Sequence, residues 1–125
     1  MSANFGCLTP MINVADADAT IDWYVSIGFE VIDTYEEEGE VNWAFLKRGG
    51  AALMVNKRDL SPGATVGVNL YIDVDDVDAL WADLKDRVTV SEAITDQFYG
   101  MRDFWIEDPN GTVLGFGQQI AKPVA

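Results

Sequence analysis

Several residue types are scarce or missing in this chain of 125 residues, and each absence excludes or disfavours some kinds of site or structure. There is no histidine, the side chain that most often binds metals and carries protons at neutral pH. The single cysteine, Cys7, has no partner for an internal disulfide. No apolar run approaches the roughly 20 residues of a membrane-spanning helix, and the N-terminus lacks the basic-then-apolar pattern of a signal peptide. We therefore expect a cytoplasmic protein.

Basic residues are also scarce. Eight Lys and Arg residues stand against 21 Asp and Glu residues, which gives a formal net charge of −13. This charge repels nucleic acid phosphates and anionic membranes, so we expect neither as a partner. It attracts cationic molecules over long distances, although solubility alone also explains an acidic composition.

Two segments have the periodicity of amphipathic helices. In "DADATIDWYVSIG" (16–28), Asp16 is a candidate N-cap and Gly28 a candidate C-terminal stop. In "DVDDVDALWADLKDR" (73–87), apolar residues recur at helical spacing, and Asp75 or Asp76 is the candidate cap.

The remaining apolar pattern has a period of two and predicts strands. Their expected ranges are 8–14, 29–36, 41–47, 51–56, 67–74, 102–107 and 112–118, with a weaker candidate at 88–95. "LKRGGAAL" and "EDPNGTV" read as hairpin turns, and "NKRDLSPGATV" (56–66) as a connection. The pattern around Ile12 recurs 60 positions later at Ile72, and the pattern around Leu53 recurs 61 positions later at Leu114. The sequence therefore predicts a duplicated unit of one strand, one helix and three strands.

The alternation within these strands separates two faces. One face is aliphatic, as in Leu70 and Ile72, and is suited to packing under the helices. The other face mixes small, polar and aromatic residues, as in Asn69, Tyr71 and Gly115. This mixture favours a concave binding surface over a plain solvated exterior.

Three stretches carry a resemblance to a known family: "TPMINVADADATIDWYVSIGFE", "VNLYIDVDDVDALWADL" and "YGMRDFWIEDPNGTVLGF". In this order they resemble the vicinal oxygen chelate superfamily, which includes glyoxalase I, extradiol dioxygenases and bleomycin resistance proteins. The resemblance implies an α+β fold in which two tandem βαβββ modules form a curved mixed sheet around a cup, with helices on the outer face. A single domain would then consist of modules at about 5–56 and 67–118, joined by a linker at 57–66.

Enzymes of that superfamily hold a divalent metal with His, Gln or Glu side chains. The resemblance carries these ligand positions to Thr9, Met54, Asn69 and Gly115. None of them offers an imidazole or a carboxylate, so we expect no metal site and no cofactor.

The metal-free branch that "YGMRDFWIEDPNG" most resembles is the bleomycin resistance protein. This resemblance implies a homodimer that sequesters a cationic, aromatic-tailed glycopeptide antibiotic without modifying it. Acids in the region 29–46 lie beside aromatic residues, and Tyr99 stands where resistance proteins have a stacking Trp. The residues expected to bind the ligand are Asp33, Tyr35, Trp43, Met54, Asn69, Tyr71, Tyr99, Arg102 and Trp105.

Several alternatives stay open at this stage. Arg102 also suits a structural ion pair, and the repeat aligns Trp43 with Phe104, which predicts that Trp43 and Trp105 point to opposite sides of the sheet. An enzyme of the same superfamily could use an unconventional site, with a carboxylate or tyrosine as the proton carrier. The candidates are Asp73, Glu107, Tyr71, Tyr99 and Cys7. A regulatory or interaction module is a third interpretation.

Overall fold

The computed structural model describes residues 3–60 and 67–121. Its elements follow the chain as β1 Met11–Val14, α1 Ala17–Ser26, β2 Glu30–Glu37, β3 Glu40–Arg48, β4 Ala51–Lys57, β5 Asn69–Asp73, α2 Val77–Leu84, β6 Thr89–Asp96, β7 Met101–Glu107 and β8 Val113–Gln119. Every predicted helix and strand is present, including the weaker strand candidate, and the α+β class is confirmed. The first strand is shorter than predicted: it begins at Met11, and Leu8 is 89% exposed. Part of the predicted linker, residues 61–66, lies outside the described residues.

The chain divides after Leu60 into two compact units, which we call the N-terminal and C-terminal modules. Each contains one four-stranded sheet, with the orders β1-β4-β3-β2 and β5-β8-β7-β6. In each sheet the first strand runs parallel to the last, and the other pairs are antiparallel. The duplication predicted from the sequence is therefore confirmed, with the same topology in both copies.

The helix ends follow from their capping residues. The Asp16 carboxylate accepts a hydrogen bond from the Ala19 amide, and the Asp76 carboxylate accepts one from the Ala79 amide, each at 3.0 Å. After α1 the chain turns at Gly28, whose φ of 107° disfavours other residues. A Cβ there would also lie 2.7 Å from Nη1 of Arg48, a flexible side-chain end that can shift, so the positive φ is the stronger reason for glycine.

One face of each sheet packs against the module's helix and forms its core. In the N-terminal module this face includes Val14, Ala44 and Val55, and in the C-terminal module Phe104 and Leu114; all are almost completely buried. Trp81 of α2 packs its ring 5.1 Å from that of Phe104. The opposite side we call the helix-free face. It carries Met11, Asn13, Asp33, Tyr35, Trp43, Phe45, Met54 and Asn56 in the first module, and Tyr71, Asp73, Glu92, Asp103, Trp105, Gly115 and Gly117 in the second.

The strand register corrects one prediction about the two tryptophans. Trp43 pairs with Asn56, whereas Trp105 pairs with Gly115, and both lie on the helix-free face of their own sheet. The prediction that they point to opposite sides was wrong because the repeat was aligned with the wrong offset. The extra residue of the second module lies in its longer β7–β8 turn, so Trp43 corresponds to Asp103 and not to Phe104.

The β7–β8 turn itself is closed by Asp108. Its carboxylate accepts hydrogen bonds from the amides of Asn110 and Thr112 at 2.8 and 3.0 Å, and Gly111 adopts a φ of 86°. In the N-terminal module the β3–β4 turn is made by Gly49 and Gly50 alone. Within the described residues, neither helix is long and apolar enough to cross a membrane.

Candidate functional site

The C-terminal module holds a buried carboxylate beneath two tyrosines. Asp103, at the centre of β7, is completely buried. Its Oδ2 accepts hydrogen bonds from the hydroxyls of Tyr71 and Tyr99 at 3.0 and 2.5 Å. Its Oδ1 accepts a third from the Gln97 amide at 3.0 Å, and the same amide donates to Glu92 at 3.2 Å. Both oxygens of the carboxylate are thus hydrogen-bonded, as buried polar groups usually are, although all the donors are neutral.

Two glycines of β8 allow the aromatic rings to lie close to the sheet. A Cβ on Gly115 would lie 2.6 Å from Cζ3 of Trp105. A Cβ on Gly117 would lie 1.8 Å from the Tyr71 hydroxyl oxygen, which is the atom that donates to Asp103. Any side chain at either position would therefore displace a ring.

The rings form a partly exposed aromatic surface. Tyr71 and Tyr99 are 41% and 40% exposed, although their hydroxyls are tied to the buried carboxylate. The rings of Tyr71 and Trp105 lie 5.4 Å apart and are tilted by 48°. We call Tyr71, Tyr99 and Trp105, together with Asp103, the tyrosine–aspartate cluster.

The electrostatics of the cluster keep the phenols protonated. Desolvation, followed by the hydrogen bond to Asp103, raises the pKa of Tyr99 to about 12. The same two causes raise the pKa of Tyr71 above its ordinary value. A tyrosine with a raised pKa is a poor general base at neutral pH, so this arrangement favours binding over proton abstraction.

The charge around the cluster has one sign. Asp73, Glu92 and Glu107 lie on the same helix-free face as Asp103. Among the described residues of this face there is no Lys or Arg. A planar cation approaching the rings would therefore meet a negative potential.

Other predicted ligand-binding residues lie on the helix-free face of the N-terminal module. The register puts Tyr35 beside Trp43, and Asp33 and Met54 on either side of Phe45. Tyr35 is 53% exposed, and every residue of β2 is exposed. The acidic stretch 36–40 forms the β2–β3 hairpin tip, with Glu38 and Gly39 both at positive φ. This second surface is aromatic and acidic, and its exposed acids lie beside the rings.

Arg102 is separated from the cluster. It points to the helix side of β7, where its guanidinium donates at 3.0 Å both to Asp78 of α2 and to Asp96 of β6. Arg102 therefore forms structural ion pairs. Its side chain does not share a face with Tyr71, Tyr99 or Trp105. Asn69, by contrast, lies on the same helix-free face as Tyr71, exposed at the start of β5.

The family's metal positions do not fit a metal here. Thr9 and Met54 offer a hydroxyl and a thioether, and Asn69 offers a neutral amide. At Gly115 the space that a ligand side chain would need is taken by the Trp105 ring. Within residues 3–60 and 67–121, no group of three Asp, Glu or Cys side chains is close enough together to hold an ion.

Sequence reasoning missed Asp103, Gln97 and Gly117 as parts of the site. A signal for Asp103 was available, because an aspartate alternating with Trp105 inside an otherwise buried strand is unusual. Its three donors come from β5 and from the β6–β7 connection, and no spacing in the sequence brings them together.

Comparisons with known proteins agree with this architecture. TioX from Micromonospora sp. ML1 is 21% identical, with a TM-score of 0.74 over 90% of this chain and 99% of that one. The bleomycin-binding protein from Streptomyces verticillus, solved with copper(II)-bleomycin, is 24% identical, with a TM-score of 0.70 over 92% and 97%. TnmS3, an antibiotic binding protein from Streptomyces sp. CB03234, is 25% identical, with a TM-score of 0.68 over 94% and 99%.

A search among curated proteins found no match. The family model described as Glyoxalase/Bleomycin resistance protein/Dioxygenase superfamily matches residues 7–116, almost the whole chain. Sequence pattern, duplicated topology and this match agree, and the chain belongs to the glyoxalase/bleomycin resistance protein/dioxygenase superfamily.

Proposed function

We propose that this protein binds and sequesters a small molecule that carries a planar aromatic group and a positive charge, such as a glycopeptide antibiotic, without modifying it. The observation that carries the proposal is the helix-free face of the C-terminal module. There, the partly exposed rings of Tyr71 and Tyr99 are fixed by a buried carboxylate. Rigid, exposed aromatic faces in an acidic field are suited to stacking against flat cations.

Two further facts support binding rather than catalysis. The phenols that could carry protons have raised pKa values and are held as hydrogen-bond donors. Relatives of similar fold include proteins described as binding bleomycin and as antibiotic binding, at 24% and 25% identity. The proposal transfers to this chain only their mode of action, the capture of a small molecule.

The direct test is a titration with bleomycin and with simple planar cations, followed by tryptophan emission and by calorimetry. We expect saturable quenching at micromolar concentrations, unchanged by EDTA, with the compound recovered chemically intact. Trp105→Ala should weaken binding at least about tenfold if the ring stacks on the ligand. Trp23→Phe is the matched control, because Trp23 lies on α1, away from the helix-free face, and should leave the dissociation constant unchanged.

Three outcomes would count against the proposal. A failure of all these compounds to bind would remove the planar-cation ligand. A requirement for Zn²⁺, Mn²⁺ or Fe²⁺ would support the metal-dependent branch of the superfamily. Appearance of a chemically altered product would support the enzyme alternative.

The proposal includes a homodimer located in the cytoplasm. Strand β2 lies at an edge of its sheet and exposes Val31, Ile32 and Tyr35 by about half, and a second copy would cover such apolar side chains. The exposed thiol of Cys7 is suited to a reducing compartment. Sedimentation equilibrium tests the dimer, and a monomeric mass at micromolar concentration would contradict it.

A further inference from the structure

We propose that Asp103 is the residue that makes this site select planar cations over neutral rings of the same shape. The inference rests on the proposed function and deepens it by naming the ligand class and a specificity-determining residue. Asp103 acts through Tyr71 and Tyr99 and is therefore a positioning residue, with no contact to the ligand.

The first step is that the negative charge of Asp103 has no counter-charge. Asp103 is completely buried and takes part in none of the ion pairs among the described residues. Its three partners, Tyr71, Tyr99 and Gln97, are all neutral donors. Hydrogen bonds offset the cost of burial but leave the charge in place, and a charge in a poorly solvated region acts strongly on its surroundings.

The second step is that this charge is transmitted through the tyrosine rings. Each phenol donates its proton to the same oxygen of Asp103, at 3.0 Å from Tyr71 and 2.5 Å from Tyr99. A phenol that donates to a carboxylate becomes more electron-rich, because successive hydrogen bonds polarise one another. Since cation–π attraction follows the negative charge of the ring face, both exposed rings should bind cations more strongly than ordinary tyrosines do.

The third step defines the ligand class. A ligand cannot form a salt bridge with Asp103, because no part of this carboxylate reaches the surface. The negative charge of Asp103 can therefore stabilise only a group that lies flat against the exposed rings of Tyr71 and Tyr99. This geometry favours a delocalised heteroaromatic cation over a compact ammonium group, which keeps its water and needs direct partners.

The experiment compares two flat probes with the same three-ring skeleton, N-methylacridinium and uncharged acridine, which differ by one methyl group and one positive charge, at pH 8. For the wild-type protein we expect the cation to bind at least about tenfold more tightly, which corresponds to about 1.4 kcal/mol. In Asp103→Asn this preference should fall to about threefold or less. The measured quantity is this ratio of the two affinities, so a change in ring position that weakens both probes equally does not alter it.

Asp73→Asn is the matched control. It removes the same unit of charge from the same helix-free face, but from an exposed carboxylate that is not hydrogen-bonded to the tyrosines. The cation preference should fall less than in Asp103→Asn. Equal reductions in the two variants would overturn the proposal, because general negative potential would then explain the selectivity.

A second pair of variants covers the case in which Asp103→Asn does not fold. Tyr71→Phe and Tyr99→Phe keep the rings but remove the hydroxyls that donate to Asp103. Each should reduce the ratio of the cation's affinity to the neutral probe's affinity, whatever change the loss of the hydroxyl makes in the neutral probe's affinity itself. An unchanged preference in both variants would overturn the role of Asp103.

The wild-type titration separates this inference from the function on which it rests. Equal affinity for the two probes would overturn the inference and leave aromatic binding intact. Failure of both probes to bind would overturn the inference and the proposed function together.

Discussion

The helix-free faces of the two modules share one backbone arrangement but differ in chemistry. Met54 of β4 occupies the place that Gly115 occupies in β8, and Asn56 occupies the place of Gly117. In the first module, Asn56 donates across the parallel strands to Asn13 at 3.0 Å. In the second module, Gly115 and Gly117 have no side chains, and the rings of Trp105 and Tyr71 fill the space above them.

The difference shows how one fold gives two surfaces. In the first module, the side chains of Met54 and Asn56 on β4 cover the helix-free face. In the second module, the glycines of β8 allow Tyr71 and Trp105 to lie against the sheet. Gly115, to which the family resemblance carries a metal-ligand position, lies against the Trp105 ring. Four predictions test this contrast, from the largest expected effect to the smallest.

Gly115→Glu would introduce a carboxylate at the position to which the resemblance carries a metal ligand, but the Trp105 ring occupies the space. We expect a loss of about 3 kcal/mol in the free energy of unfolding, because the new side chain must displace the Trp105 ring. Added Zn²⁺ should not recover the loss. Urea denaturation with and without ZnCl₂ measures both effects, and Gln119→Glu, on an exposed position of the same strand, is the control. Near-normal stability with a Zn²⁺-dependent increase would show that the metal position is intact.

Gly117→Ala would separate Tyr71 from Asp103. We expect about 2 kcal/mol of destabilisation, because the added methyl group cannot share space with the Tyr71 hydroxyl. Gly50→Ala is the matched control, since a Cβ there meets nothing within 4 Å and should change stability by less than about 0.5 kcal/mol. Equal effects of the two substitutions, measured by chemical denaturation, would contradict the tight packing of Tyr71.

The pH dependence of stability should report the tyrosine–aspartate cluster. Tyr99 has a pKa of about 12 in the folded protein and an ordinary value of 10.0 when unfolded. Below pH 10 both states hold this proton; between pH 10 and 12 the unfolded state loses it first, so stability falls as pH rises. Tyr99→Phe should flatten that fall, as measured by urea denaturation at several pH values. An equally steep fall in the variant would mean that other groups cause the loss of stability at high pH.

Arg102→Gln should have the smallest effect. The Arg102 ion pairs with Asp78 and Asp96 are largely exposed, so stability should fall only slightly. Binding of a planar cation should stay within about twofold of wild type, because Arg102 lies on the helix side and surface charges act weakly through solvent. A large loss of affinity would show that Arg102 takes part in ligand binding.

Local features of the fold could be predicted from the sequence because they depend on near neighbours. Caps such as Asp16 and the alternation of aliphatic residues identify helices and strands without knowledge of the rest. The register between strands could not be predicted so well. One extra residue can be assigned to a strand or to a turn. The choice decides whether Trp43 is expected on the same face as Trp105 or on the opposite face.

The candidate site was predicted in part for the same reason. Tyr71 and Trp105 were identified from their residue type and alternation, and Tyr99 from the family resemblance. The register puts Tyr71 and Trp105 on the same helix-free face. Asp103 was missed because its importance lies in contacts with Tyr71, which is 32 positions away. Long-range hydrogen bonds of this kind have no periodic signal in a single sequence.

The closed turn from Asp108 to Thr112 has a practical consequence for protein engineering. Its shape is set by the Asp108 carboxylate and by backbone hydrogen bonds within the turn. Because these hydrogen bonds lie within the turn, a graft of a new peptide at its tip should keep the turn's shape as long as Asp108 and Thr112 are retained.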